Sequence, residues 1–306
     1  MTNEISYSVG ALLYCPAYND SLVHEIAETK IQPPYSVALC LEDSIADDAV
    51  EEAEHQLITT MQKLSVLQGC YMPKIFIRVR NVLQARHMYH ALSESRKLLT
   101  GFIFPKFTIS NIEEYQETIV ELNKNSEQTL YMMPILETRD ILNIMTRKKV
   151  LSRLREKLDS VREYVLNVRI GGNDFCNYYG LRRSVRQSIY DIGLIQPVLS
   201  DIANIFVDDY VVSAPVWEYF DNGTNDHWKR GLQQELSLDR LNGFIGKTAI
   251  HPSQIAVINE SLKPSLSDYR DAENILHWES SVSGVQKSAD GTRMKSSVMQ
   301  NGLKKC

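Results

Sequence analysis

Apolar residues in this chain gather in short runs without period-2 alternation, and polar helix-forming stretches separate the runs. The runs are Ala11 to Cys15, Tyr35 to Leu41, Lys74 to Arg80, Gly101 to Lys106, Tyr131 to Leu136, Tyr164 to Ile170, Tyr210 to Pro215 and Gly243 to Ile250. Near-continuous apolar runs of this length mark parallel strands buried on both faces. The stretches between them predict helices over Asp47 to Leu67, Gln84 to Leu99, about Asn111 to Asn123 and Asp140 to Leu158. Further helices are expected after His251, to about Ser280. Eight strands alternating with helices predict an α/β fold of the (β/α)8 TIM-barrel type with a C-terminal helical extension. The runner-up, an open doubly wound sheet, would carry a Gly-rich phosphate turn after its first strand. Pro16-Ala17-Tyr18-Asn19 is not such a turn.

The expected organisation is one barrel domain over residues 1–281 and a loose tail over 282–306. The tail is poor in apolar residues and locally rich in Lys and Arg. It reads as a flexible or partner-ordered C-terminus. A lid over the site of its own or a neighbouring subunit is the alternative.

Composition narrows the class only a little. With 306 residues, 43% apolar and 23% charged, the chain is long enough to bury a large core. A net charge of -5 gives no basic footprint, which argues against nucleic acid as a partner. Cys15, Cys40, Cys70, Cys176 and Cys306 show no CxxC spacing, which fits reduced thiols in a cytoplasm. No apolar run reaches membrane-spanning length, so no membrane partner is expected. The first basic residue is Lys30, so no secretory signal is expected either.

The chemistry gathers at strand ends. In a parallel barrel the C-terminal ends of the strands converge on one mouth. Here those ends read Glu42-Asp43, Arg78, Lys106, Glu137, Asp174 and His251. Isolated buried charges are costly, so these groups should be paired, metal-bound or lining a wet pocket. Structural roles exist for each: Glu42 or Asp43 as a helix cap, Arg78 paired with Asp43, Lys106 paired with Glu137. Their common phase in the repeat favours a shared site. Glu137 and Asp174, on neighbouring strands with no His or Cys pair beside them, suit Mg²⁺, or Mn²⁺ in its place, better than Zn²⁺. Such a cation can chelate a 2-oxo or 2-hydroxy acid and act as a Lewis acid on the carbonyl. The planar fork of Arg78 suits a carboxylate or an enolate oxygen. Together these parts describe aldol chemistry. A Schiff base on Lys106 is the rival mechanism. A lysine beside carboxylates should instead stay protonated. His251 reads either as a base or as a residue fixing the eighth strand to its helix. Arg182, Arg183 and Arg186 read either as an anion grip or as a solvated face.

Seven motifs, in order over about residues 11–275, carry a family resemblance. They are Leu12-Leu13-Tyr14-Cys15-Pro16, Leu41-Glu42-Asp43-Ser44, Ile77-Arg78-Val79-Arg80-Asn81, Phe104-Pro105-Lys106, Pro134-Ile135-Leu136-Glu137-Thr138, Ile170-Gly171-Gly172-Asn173-Asp174 and Gly246 to Gln254. The chain resembles the citrate lyase beta-subunit-like group of HpcH/HpaI aldolases, which are C–C bond lyases. The resemblance implies a TIM barrel holding Mg²⁺ through Glu137 and Asp174. It implies Arg78 on the substrate acid, with Glu42 and Asp43 ordering metal waters and the arginine. It also implies a trimeric or hexameric homo-oligomer and a small carboxylic acid, or its coenzyme A thioester, as substrate.

The chain departs from that pattern at four places. Val9-Gly10-Ala11 stands where coenzyme A binders have an Arg-Ser pair, and Cys15-Pro16-Ala17 replaces an aromatic-Val-Pro-Gly strand end. Arg80 replaces the usual Asn, and Met294-Lys295-Ser296 supplies no acidic lid residue. The departures point to a divergent branch acting on a free acid, or on a phosphorylated metabolite held by Arg80 and Arg182. Arg78, Arg80 and Lys106 are the expected substrate contacts. A phosphoenolpyruvate-type lyase or transferase, and a catalytically silent binding subunit, are the alternatives.

Overall fold

Each of the eight apolar runs becomes a strand in the computed structural model, which describes residues 4–276, 285–287, 291 and 294–296. The strands are β1 (Ala11–Pro16), β2 (Ser36–Cys40), β3 (Lys74–Arg78), β4 (Leu99–Phe104), β5 (Tyr131–Leu136), β6 (Val168–Ile170), β7 (Val212–Ser213) and β8 (Lys247–Ala249). They form one parallel sheet in the order β7-β6-β5-β4-β3-β2-β1-β8. Its two ends meet through an Ala214–Lys247 bridge, with Ala214 N–H on the Gly246 carbonyl at 3.1 Å and Ile245 N–H on the Val212 carbonyl at 2.8 Å. The result is a (β/α)8 barrel.

The barrel interior divides into two kinds of layer. Its N-terminal half is filled by Leu12, Ala38, Phe76, Ile103, Met133 and Leu166, all buried. Each side chain of Leu, Ile, Phe or Met size contributes about 1.5–3 kcal/mol when fully withdrawn from water. Two residues further along the strands the inward positions become polar: Tyr14 after Leu12, Arg78 after Phe76, Glu137 after Ile135. Side chains alternate faces along a strand, so a polar residue two places on stands directly above the apolar plug.

Several elements are shorter than expected. The Tyr164 to Ile170 run yields only Val168–Ile170, because Arg162–Tyr164 forms a 3-10 turn and Leu166 and Val168 donate to β5 and the β7 side in alternation. Strands tilted in a closed barrel are flanked on both sides over only part of their length. The Asp140 to Leu158 helix is broken into Arg139–Leu142 and Arg147–Asp159. Asn143 interrupts it by accepting the Met145 N–H at 3.0 Å, a local bond that competes with the helix. Buried Arg147 then donates to the Ile141 and Leu142 carbonyls and to Asp201. Helices Gln196–Phe206 and His227–Leu241 supply the outer layer between β6 and β8.

Strand β8 is anchored by a buried ion network. Lys247 Nζ bonds Glu235 at 2.9 Å and Asp239 at 2.8 Å, and Glu235 also accepts from Arg183 at 2.5 Å. Asp239 accepts the Tyr190 hydroxyl at 2.8 Å. Lys247, in the Gly246-Lys247-Thr248 stretch, is therefore a structural cation. Arg183 is neither solvated nor offered to an anion, and Arg182 and Arg186 are exposed.

The chain divides into two compact units, Met1–Ile258 and Asn259–Cys306. The second holds the helix Leu266–Leu276 and an antiparallel pair, β9 (Val285–Lys287) and β10 (Met294–Ser296). The loose tail or lid expected over 282–306 otherwise lies outside the described residues. Among the described residues no helix is long and apolar enough to cross a membrane.

Candidate active site

Strand β5 delivers Glu137 to the barrel mouth, and β6 leads through Gly171 into the helix Gly172–Tyr178, whose first turn carries Asp174. The two carboxylates meet over Gly171. A side-chain carbon added there would sit 2.3 Å from Glu137 Cβ, 2.4 Å from Glu137 Oε2 and 3.2 Å from Asp174 Oδ2. Both acidic oxygens thus crowd one point, and only a residue without Cβ leaves them room. Glu137 is buried, and that burial, with Asp174 beside it, lifts its carboxyl from the ordinary 4.5 to about 8. Asp174 is also raised, by burial and then by Asp43. Arg78 and Lys106 pull both down without overcoming this. Two acids this close do not both ionise readily unless a cation joins them.

Arg78 faces them from β3. Its Nη2 lies 2.8 Å from Glu42, 2.8 Å from Asp43 and 3.7 Å from Glu137. Its guanidinium stacks over Tyr14 at 5.7 Å from the ring centre. Its Nε is buried with no partner among the described residues. Against the cost of burial, Arg78, Glu42 and Lys106 hold Asp43 below the usual carboxylate range.

Glu42 stands behind this layer rather than on the cavity. It accepts from Arg78, from Lys106 Nζ and from the Asp43 N–H at 2.8 Å. Lys106 has a left-handed backbone (φ 50°) that turns its N–H onto Glu137 at 2.7 Å. Burial alone would lower the Lys106 pKa, but its bond to Glu42 raises it, with Asp43 and Glu137 adding to the effect. A Schiff-base lysine needs the opposite shift.

A cavity of about 190 Å³ opens at this point, lined in part by Tyr14, Asp43, Arg78, Glu137, Arg169 and Asp174. Of the residues expected at the site, the structure brings Arg78, Asp43, Glu137 and Asp174 to this cavity, with Glu42 and Lys106 buttressing them. Arg80 is not brought there. Its guanidinium is spent on the Leu41 carbonyl at 2.8 Å, the Ile45 carbonyl at 2.5 Å and Asp47 at 2.5 Å, so it ties down the loop after β2. That loop carries Glu42 and Asp43, and the expected substrate contact gives way to a positioning one. His251 bonds Ser253 at 2.9 Å and stacks on Phe220, fixing β8 to the next helix.

Sequence reading missed Tyr14, Arg169 and Thr248. The signal for Arg169 was present: it is a guanidinium inside an apolar run, one residue before its end.

A family model described as C–C bond lyase of the TIM-barrel fold matches residues 3–299. The chain belongs to that family. A carbon–carbon lyase is accordingly the class of enzyme. Human mitochondrial citramalyl-CoA lyase is 24% identical over 275 residues, covering 87% of this chain and 74% of the human enzyme. The Mycobacterium tuberculosis protein CitE, crystallised with magnesium, acetoacetate and coenzyme A, shares the fold. Its TM-score is 0.61 at 19% identity, over 98% of this chain and 97% of that one. A citrate lyase of Burkholderia xenovorans aligns with a TM-score of 0.71 at 14% identity, over 96% and 89% of the two chains.

The lyase-family site fits a hard divalent ion on its own geometry. Among the described residues no group of three or more His, Cys, Asp or Glu is placed to bind a metal. Two carboxylates with the remaining positions left to water and substrate are the usual provision for Mg²⁺. Glu137 lies against Asp174, and without an ion, burial keeps both carboxyls above their ordinary range.

Proposed function

We propose that this C–C bond lyase is Mg²⁺-dependent and acts on a small 2-oxo or hydroxy acid, taken free in preference to its coenzyme A thioester. The observation that carries the reading is the meeting of Glu137 and Asp174 over Gly171, with Arg78 opposite. Glu137 and Asp174 would hold the ion. A bound Mg²⁺ supplies Lewis-acid polarisation of a substrate carbonyl. Arg78 lines the cavity and would take a substrate carboxylate or enolate oxygen, and Glu42 and Asp43 fix its plane. Lys106, held protonated, keeps Glu42 in place and adds positive charge to the rim. The preference for a free acid is supported by Val9-Gly10-Ala11, which offers no arginine to coenzyme A. The similarity to citramalyl-CoA lyase favours the thioester, so both forms enter the test.

The test is a panel of hydroxy acids, 2-oxo acids and their thioesters, with Mg²⁺ and with chelator. Cleavage that requires Mg²⁺ and falls at least about a hundredfold in Glu137→Gln and Asp174→Asn is expected. Equal rates in wild type and both variants would end the reading. Assembly as a trimer or hexamer belongs to the same proposal and is checked by light scattering. A cytoplasmic location also belongs to it, in keeping with Cys15, Cys40, Cys70 and Cys176 all being free.

A further inference from the structure

Among the described residues, buried cations have carboxylate partners, with one exception. Arg78 has Glu42 and Asp43, Arg147 has Asp201, Arg183 has Glu235, and Lys247 has Glu235 and Asp239. Arg169 is only 2% exposed, yet among the described residues it makes no ion pair. Its Nη2 donates to the Thr248 hydroxyl at 2.6 Å, and its Nη1 reaches the Asn167 side-chain oxygen Oδ1 at 3.4 Å. The Tyr14 phenol lies within hydrogen-bonding reach. These acceptors carry no formal charge, and the like charge of Arg78 works against the guanidinium. Among the described residues Arg169 Nε has no partner, and neither does Ser213 Oγ, on the residue paired with Arg169 across β6 and β7. A guanidinium buried without a counter-ion costs stability, and it persists where a ligand supplies the missing charge.

Its position says which end of the ligand that is. Arg169 is in register with Ile135, two residues before Glu137. Two residues of parallel strand rise about 6.6 Å. Arg169 therefore lies one layer deeper than the carboxylate pair, in the wall of the same cavity. That cavity, about 190 Å³, has room for a short acid. A short acid with its 2-oxo or 2-hydroxy end at Glu137 and Asp174 would carry its far end down to Arg169.

We infer that Arg169 receives a second carboxylate of the substrate, so that the acid taken is a 2-oxo or 2-hydroxy diacid. This rests on the Mg²⁺ and small-acid reading above. Planar guanidinium donors match a carboxylate, and Thr248 and Tyr14 orient the fork.

The test compares Mg²⁺-dependent binding of malate and 2-hydroxybutyrate, which differ by a carboxylate in place of a methyl group, using calorimetry on the full chain. Wild type is expected to prefer malate by roughly ten- to a hundredfold, the value of a charge-assisted bond. Arg169→Met should erase that preference and leave 2-hydroxybutyrate binding within about twofold of wild type. Arg169→Lys keeps the charge and loses the fork, and should retain a reduced preference, which covers the case of a Met variant that does not fold. No preference in wild type, or an undiminished one in either folded variant, overturns the assignment and leaves the Mg²⁺ reading standing. Binding of neither acid with Mg²⁺ overturns the Mg²⁺ reading itself, and the assignment with it.

Discussion

Gly171→Ala tests the carboxylate pair mechanically. The new Cβ would lie 2.3 Å from Glu137 Cβ and 2.4 Å from its Oε2, so the backbone at Glu137 or Gly171 must shift and carry the carboxylate out of position. The backbone angle does not resist the change, because Gly171 has φ −88°, open to any residue. Overpacking of this kind costs about 1–3 kcal/mol. Loss of glycine's freedom in the unfolded chain returns about 0.4–1 kcal/mol. The net loss of stability should be about 1–2 kcal/mol. The loss in Mg²⁺ affinity should be larger, at least tenfold to a hundredfold, because one of two protein ligands is displaced. Gly172→Ala is the control. Its Cβ would strike Ile189 Cδ1 at 2.4 Å and Pro215 Cβ at 2.7 Å, a similar steric penalty that touches no carboxylate. Urea unfolding and Mg²⁺ calorimetry on both variants separate the two effects. Gly171→Ala binding Mg²⁺ as wild type does, or Gly172→Ala losing it equally, refutes the reasoning.

Burial, with Asp174 adjacent, lifts Glu137 to about 8, so below that pH the ion-free folded protein holds a proton that the unfolded chain has lost from 4.5 upward. Ion-free stability should therefore fall as pH rises from about 4.5 to about 8, by at most ~1.4 kcal/mol per unit, with Mg²⁺ affinity rising in the same window; a flat profile in chelator by urea titration contradicts this. Lys247→Met leaves Glu235 and Asp239 buried with one cation fewer, and should cost about 3–5 kcal/mol in urea unfolding. A loss below about 1 kcal/mol would mean the network is dispensable. Arg80→Ala releases the loop that carries Glu42 and Asp43, and should lower kcat more than it raises KM; a pure KM effect would return Arg80 to the role of a substrate contact.

Barrel topology was legible because all eight strands are buried on both faces, which leaves apolar runs that no helix imitates at that length. The ends of β6, β7 and β8 were not legible. Val165, Leu166 and Val211 are as apolar as strand residues but lie where a tilted strand lacks a neighbour on one side. The break at Asn143 has a local cause, its side chain taking the Met145 N–H, but an Asn inside a polar helical stretch does not announce by itself that it will do so. At the site, Glu137, Asp174 and Arg78 stood out as charges ending apolar runs. Arg80 shares that signature and serves the loop, because its neighbour in space, Asp47, is far off in sequence. Arg169 was passed over as a residue inside a strand, although a charge there is the harder one to bury.

Charge balance in the mouth yields a last expectation. Arg78 and Lys106 answer Glu42 and Asp43 directly. What is left over is the Glu137–Asp174 pair, short of positive charge, and Arg169 one layer deeper, short of negative charge. No ion pair joins them among the described residues, so neither deficit cancels the other. A divalent cation answers the first and an anionic end the second, and a ligand that bridges both joins the two sites through one molecule. Binding free energies then couple reciprocally: Mg²⁺ should raise malate affinity, and malate should raise Mg²⁺ affinity, by the same factor of at least about ten. Titrations of each with and without the other measure the factor twice. In Arg169→Met the factor for malate should fall to that of 2-hydroxybutyrate, because only the ion end still binds. Independent binding of Mg²⁺ and malate in wild type would mean that the diacid does not span the two layers.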